Sequence, residues 1–482
     1  MAKEPSEKAG NSTGDSLRVI GMWSAALLVI ANMIGSGVFT TTGFMAADIT
    51  SEPVILMVWV AGGLLALCGA LTYGELASSM PRSGGEYYYL SKLYHPSIGF
   101  LSGFVSLIVG FSAPIAGSSL VFAKYLTVLL FPDLDEEISG YWVRGIAFVL
   151  VAALTFMHSS DVKKGAATQN IFTVLKVSLV VFFILAGLTL TPAPRDIEVL
   201  PSGTDWDAIL SPAFATALVF VFYAFSGWNA AAYIAGEVRK PDRNLPRALL
   251  IGAGTVTVLY ILLNYVFLYT AAPAEIAGKE EFGDIVADKI FGAEYGWIMS
   301  SLIAFALISS VSSMVMAGPR VTAAIGEDFP FFRKLGKKNK SGSPVMALLI
   351  QLVVAAAMIL YGDVMVIFTY IGFTLSIFAF LTVFGLYLQR IRHGKPKSGY
   401  RTPGYPLTPA LFLVLVGWLI VFSIKDNWLV PVIGGGTLLA GIVIYYFTSK
   451  GVTVKDHNLP PGELPATPPT DDDPSAGQGN EQ

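Results

Sequence analysis

The chain has 482 residues, of which 54% are hydrophobic and only 13% charged, with a mean hydropathy of +0.63. A soluble domain carries roughly twice that charged fraction, so a soluble globular fold is excluded and a membrane protein is indicated. The formal net charge of −3 says nothing by itself about partners, and nucleic acid is not expected as one.

Residues 1–17 are polar and lack an apolar stretch ahead of a cleavage site, so no removable signal peptide is expected. Beyond them, apolar windows of the length a bilayer requires recur near 19–48, 54–79, 98–131, 142–159, 167–190, 209–237, 247–271, 294–325, 344–361, 364–388, 407–424 and 428–448. Barrel strands would be about ten residues long and alternating. The fold class is therefore an all-α polytopic membrane protein of 12 transmembrane helices. The single cysteine, Cys68, sits in the second window, which rules out an intrachain disulfide. The segment from 456 onward is rich in Pro, Asp and Gly and cannot bury a core, so a disordered tail is expected there.

Basic residues sort unevenly when the loops are dealt alternately to the two sides. One side takes Lys163 and Lys164, Arg239, Lys240 and Arg243, and the run Arg333 to Lys340; the other has Arg144, Arg195, Lys279, Lys289 and Lys425. Miscounting one span would erase this bias. The positive-inside rule then places both termini in the cytoplasm, with the chain in the cell inner membrane.

Two windows are interrupted. The first contains ANMIGSGVF, and the sixth contains YAFSGWN; glycine weakens a helix interior by about 1 kcal/mol. The two interrupted spans are five apart, so two five-span repeats would enter the membrane in opposite senses, the pattern that marks a midplane substrate site. Freed N–H groups at Ser36, Gly37 and Val38 favour an anion. Carbonyls around Met33, Ile34, Tyr223 and Ser226 favour a cation. Such a pair of poles suits a zwitterion. The plainer reading is that these glycines only permit close helix packing; two breaks at matching repeat positions favour the site.

With those stretches goes a resemblance to the amino acid/polyamine/organocation (APC) superfamily of permeases, and to its bacterial branch related to L-type amino acid transporters. It rests on IGSGVF, MPRSGGEYYYL, TQNIFTVLKV, YAFSGWNAAAYIAGEVRKPDRNLPRAL, MAGPRVTAAIGED and YRTPGYPLTP. The resemblance implies a leucine-transporter-like 5+5 inverted repeat, residues 18–190 and 208–388, plus two added spans at 405–448. It implies that Gly35, Ser36 and Gly37 bind the substrate carboxylate, that backbone near Met33 and Ser226 receives the amine, and that Tyr223 closes over the ligand. Phe225, Gly227, Trp228 and Asn229 complete the expected site, while Ala230, Ala231 and Ala232 depart from larger-residue relatives.

Lys176 falls in the middle of the fifth window, where a charge is costly and marks function. In the family this lysine puts its ammonium where sodium-coupled relatives hold Na⁺. Ser309, Ser310, Ser312 and Ser313 supply hydroxyls on the eighth window, with Ser312 and Ser313 expected beside the ammonium. Transport should then be sodium-independent; proton coupling, exchange and uniport stay open.

Glu75, Arg82, Glu86, Glu237, Arg239 and Arg243 flank the second and sixth windows. Such charges are ordinarily solvated or paired in loops, the alternative being an inner gate. The four histidines lack metal-ligand spacing, and no cofactor, metal site or nucleotide-binding motif is expected. No carboxylate lies centrally in spans 1, 3, 6, 8 or 10, so a small neutral L-amino acid is the expected substrate. The rivals are a cationic amino acid or polyamine carrier, a permease-like nutrient sensor and a membrane enzyme.

Overall fold

The computed structural model describes residues 18–131, 134–203, 205–209, 211–279, 282–292, 295, 297–361, 364–394, 399–426 and 429–454. The tails expected at 1–17 and 456–482 lie outside the described residues. Among the described residues the chain is helical, and its extended pairing is one isolated bridge between Ile20 and Val238.

Helices occupy the apolar windows. The first holds α1 (Met22–Met33) and α2 (Gly37–Asp48). Then come α3 (Glu52–Ser79), the short α4 (Glu86–Leu93), α5 (Pro96–Leu130), α6 (Glu136–Ser160) and α7 (Val162–Leu190). The sixth window holds α8 (Pro212–Ala224) and α9 (Ala230–Tyr233), followed by α10 (Pro241–Thr270), α11 (Phe282–Phe291) and α12 (Trp297–Asp328). The last are α13 (Val345–Tyr361), α14 (Val364–His393), α15 (Leu407–Asp426) and α16 (Leu429–Thr448).

Among the described residues nine helical stretches are long and apolar enough to cross a membrane, and three shorter apolar helices accompany them. Helices suit lipid because they satisfy their own backbone groups. Their starts are encoded locally. Asp161 accepts the N–H groups of Lys163 and Lys164 (2.7 and 3.0 Å) to open α7, Ser211 caps α8, and proline stands in the first turn of α3, α8 and α10.

The interrupted pair α1/α2 and helices α3, α5 and α10 form the packed centre, whereas α6 and α15 are peripheral. Trp142, Val149 and Phe156 on α6 are exposed, an apolar face that lipid would cover. Gathered at one end of the bundle are three buried ion pairs. Arg390 grips Glu75 through two bonds of 2.8 and 2.6 Å. Arg320 holds Glu237 at 3.0 and 3.2 Å. Arg82 meets both oxygens of Asp328 at 2.9 Å, with Tyr87 Oη donating to Asp328 at 2.7 Å.

These charges depart from the ordinary loop reading. Glu75, Arg82 and Glu237 each reach an arginine or acid more than eighty residues away, so they tie helices together; Arg239, and Arg243 in the first turn of α10, alone stay exposed. Glu86 does neither and belongs to the site.

Candidate functional site

The first interruption begins where α1 runs out at Met33. Ile34 is extended (φ −76°, ψ 92°), and Ser36 returns to helical dihedrals as the residue preceding α2. The first backbone bond of the new helix is Phe39 N–H to Ser36 O, 2.9 Å. The N–H groups of Ser36, Gly37 and Val38 precede it and point out of the helix start, the positive end of its dipole.

The second interruption spans residues 225–229, with Gly227 at φ +95°. Beyond it the expected apolar half-helix is much reduced. α9 is one turn, followed by a 3-10 turn at Ala235–Glu237. Neighbours take up the backbone instead: Tyr233 O accepts from Gly84 N–H (3.0 Å), Gly236 N–H donates to Ser83 Oγ (3.0 Å), and Arg239 N–H donates to Ile20 O (2.9 Å).

The breaks touch each other. A Cβ added at Gly37 would lie 2.9 Å from Ala224 Cα, and one at Gly227 would lie 2.8 Å from Asn32 Cβ. Both are closer than carbon atoms tolerate, so glycine is what lets each half-helix end lie against the other's break. Close packing and unwinding thus occur at the same residues. Tyr260 on α10 fastens the junction, its Oη lying 2.6 Å from Met33 O and 3.2 Å from Ala224 O, the last carbonyls of α1 and α8. Nothing local in the sequence marks Tyr260, which is 227 residues from Met33.

A cavity of about 90 Å³ lies at this junction, several times the roughly 10–15 Å³ that one water requires. Of the residues expected at a substrate site, Met33, Gly35, Ser36, Gly37, Tyr223, Ser226, Gly227, Trp228 and Asn229 line it. Ile34, Val38 and Phe225 sit behind it and are fully buried. Phe225 packs against Trp59 and Tyr260, with ring centroids 6.0 and 4.9 Å apart. Apolar wall comes from Gly110, Phe111 and Pro114 of α5, Met314 of α12 and Leu375 and Ala379 of α14.

Ile34 O points to Lys176. The ammonium is completely buried and donates to Ile34 O (2.6 Å), Ala31 O (3.1 Å) and Ser310 Oγ (2.8 Å). An ammonium has three protons, and each has an acceptor. Its hydroxyl partner is Ser310, which also reaches Ile34 O at 2.6 Å. Ser312 lies instead 2.9 Å from His158 Nε2, and Ser313 donates back to Ser310 O at 2.7 Å. Four hydroxyls within five residues point in different directions around a helix, and the sequence alone does not choose among them. Gln169 Nε2 donates to Ser309 O (3.2 Å), extending this polar seam along α7 and α12.

Glu86 adds a carboxylate to the cavity wall from outside the spans whose centres carry none. It lines the cavity, is 3% exposed, and accepts from Tyr73 Oη (2.6 Å) and Asn229 Nδ2 (3.0 Å), both at Oε1. Burial pushes its carboxyl up to about 7. It escaped the reading of span centres because it opens α4, a segment between two spans that folds inward. The Gly84–Tyr233 and Gly236–Ser83 bonds pin that segment to the second break.

A bundle of apolar helices with a solute-sized cavity between two broken ones defines a membrane carrier. The chain belongs to the amino acid permease family, whose model, described as Amino acid permease, matches residues 20–449. It is an APC-superfamily transporter of amino acids, and not an enzyme. It is 27% identical over 449 residues to the Large neutral amino acids transporter small subunit 2 of Homo sapiens, covering 92% of this chain and 83% of that one. It is also 27% identical to the b(0,+)-type amino acid transporter 1 of Mus musculus over 84% of this chain and 82% of the relative. The Asc-type amino acid transporter 1 of Mus musculus is similar at 27% over 89% and 80%.

Proposed function

We propose that this protein carries small, neutral L-amino acids across the cell inner membrane by alternating access, without sodium, as an exchanger or uniporter. The observation that carries this reading is the meeting of opposite helix ends at one cavity: the N–H groups opening α2 face a carboxylate's charge, and the last carbonyls of α8 face an ammonium's. Ser36 and Gly37 would take the carboxylate, and backbone at Met33 and Ser226 the amine. Tyr223 would cover the bound molecule.

The cavity volume supports a ligand on the scale of alanine or serine. The relatives' names, which include a large neutral type and a b(0,+) type, support amino acids of more than one class. Glu86 favours a second reading, a carrier of cationic amino acids. A permease-like sensor gains no support from any described residue.

In the topology we propose, both termini are cytoplasmic, twelve spans are arranged as repeats 18–190 and 208–388 with 405–448 added, and the ion-paired end faces the cytoplasm. Separation of the three pairs would accompany opening to that side. The ammonium of Lys176 fills the position a coupling cation would need, and its filled acceptors favour a fixed charge over a carried proton.

The test is counterflow of L-alanine into proteoliposomes with sodium replaced by choline. Undiminished uptake is expected. Loss of uptake in choline would overturn sodium independence, and uptake of arginine or putrescine without alanine would replace the neutral substrate with a cationic one.

A further inference from the structure

Among the described residues three carboxylates are fully buried: Glu75, Asp328 and Glu86. Two have arginines. Glu75 takes both a bidentate Arg390 and the Thr402 N–H (2.6 Å), and Asp328 takes Arg82 and Tyr87. Glu86 has no ion pair among the described residues, and both of its donors, Tyr73 Oη and Asn229 Nδ2, land on Oε1. Oε2 has no hydrogen-bond donor among the described residues.

A nearly buried carboxylate with one oxygen satisfied and the other open only to a cavity keeps part of its desolvation cost. Native proteins keep such groups chiefly where something else completes them. Here the group lines a cavity whose neighbouring wall is apolar, Phe111 and Tyr233 meeting edge to face at 5.1 Å. A donor arriving with the ligand would complete it. A short side chain fits the space beside it.

We propose that Glu86 is the side-chain recognition point of the cavity, held in place by Tyr73 and Asn229, and that it selects amino acids whose short side chain carries a hydroxyl. This rests on the amino acid transport reading above and specifies its substrate class. The substrate hydroxyl donates to Glu86 Oε2. Threonine and valine, nearly equal in shape, separate this from any preference for size: one offers a donor and the other a methyl group, which would leave Oε2 unpaired.

The experiment is a competition series on the full-length protein in proteoliposomes, at pH 8, with threonine, valine, serine and alanine against labelled serine. Wild type should prefer threonine to valine by about tenfold or more, the order expected of a hydrogen bond to a charged group. Glu86→Gln keeps an acceptor for Tyr73 and Asn229 but removes the charge, and should reduce that ratio about tenfold. A ratio unchanged in Glu86→Gln, or an equal fall for threonine and valine, assigns Glu86 a structural role and overturns the proposal. Thermal shifts of purified wild type with threonine and with valine test it without a variant: equal stabilisation overturns it. A protein stabilised by no L-amino acid would overturn the transported class itself, an outcome distinct from equal stabilisation.

Discussion

Lys176 and Glu86 are both ionisable groups buried within the same bundle, and both sit beside a helix break. The ammonium of Lys176 is saturated: three protons meet Ile34 O, Ala31 O and Ser310 Oγ. The carboxyl of Glu86 is half served, with two donors on one oxygen and none on the other among the described residues. A buried charge whose hydrogen-bonding capacity is used up by protein is a fastening. One left incomplete at a cavity wall waits on something the protein does not supply. Membrane charges mark function in general, and here the degree of saturation separates a structural function from a recognition function.

The largest effect should come from undoing the saturated group. Lys176→Ala takes the ammonium donor from Ala31 O and Ser310 Oγ, while Ile34 O keeps Ser310 Oγ; at roughly 1–3 kcal/mol for each stranded acceptor, a loss of about 2–6 kcal/mol is expected. Detergent-solubilised protein should unfold at a clearly lower temperature, and uptake should fall at least about tenfold. A variant as stable and active as wild type would make the lysine a bystander and erase the contrast with Glu86.

Removing Arg82 tests the other side of the contrast by making a second incomplete carboxylate. Arg82→Ala takes the guanidinium from Asp328, which is 3% exposed and keeps the Tyr87 hydroxyl, and breaking a buried pair in this way costs about 3–5 kcal/mol. The stability deficit, read by thermal unfolding, should be far larger than that of Glu86→Gln, because Glu86 has no cationic partner to lose among the described residues.

A smaller loss is expected at the junction itself. Tyr260→Phe removes the hydroxyl shared by Met33 O and Ala224 O and should cost about 1–3 kcal/mol. Because those carbonyls end the half-helices, the apparent substrate affinity should weaken as well. Lowered stability with unchanged affinity would confine Tyr260 to packing.

The saturated group was legible in the sequence and the incomplete one was not. Lys176 is a lone charge in an apolar run, and the breaks announce themselves as Gly-Ser-Gly and Ser-Gly in windows otherwise fit for lipid. These signals are local. Glu86 looks like a loop acid because it follows Arg82 and two glycines at a span boundary; only the packing of residues 83–84 on Tyr233 and Gly236 turns it inward. The choice of Ser310 over Ser312 and Ser313 depends on the rotational setting of α12 against α7, and the partners of Glu75, Arg82 and Glu237 on contacts from 83 residues to more than 300 residues away. Apolar length and the helix-breaking residues carry the fold, whereas the finishing of the site is a matter of long-range juxtaposition. The shortened second half of the sixth window has the same cause: its backbone bonds go to neighbouring segments, which hydropathy does not report.

The gentlest way to sharpen the contrast is pH. Burial raises the Glu86 carboxyl to about 7, so it is charged above that pH and protonated below it. Tyr73, Tyr89 and Tyr233 are the titratable groups that face it electrostatically, and their phenols remain uncharged between pH 6 and 8. In the charged form Oε2 accepts a substrate hydroxyl. In the protonated form the proton lies on Oε2, since Oε1 already takes two donors, and the same atom becomes a donor. A hydroxyl can also accept, so the neutral form keeps a weaker bond; the preference for threonine over valine should therefore be largest at pH 8 and fall, without vanishing, as pH drops through 7 to 6. Glu86→Gln has no proton to exchange and should give a flat profile, at a preference near that of wild type at pH 6. A wild-type profile as flat as the variant's would show that the free oxygen does not touch the substrate, and Glu86 would then join Lys176 as a second fastening.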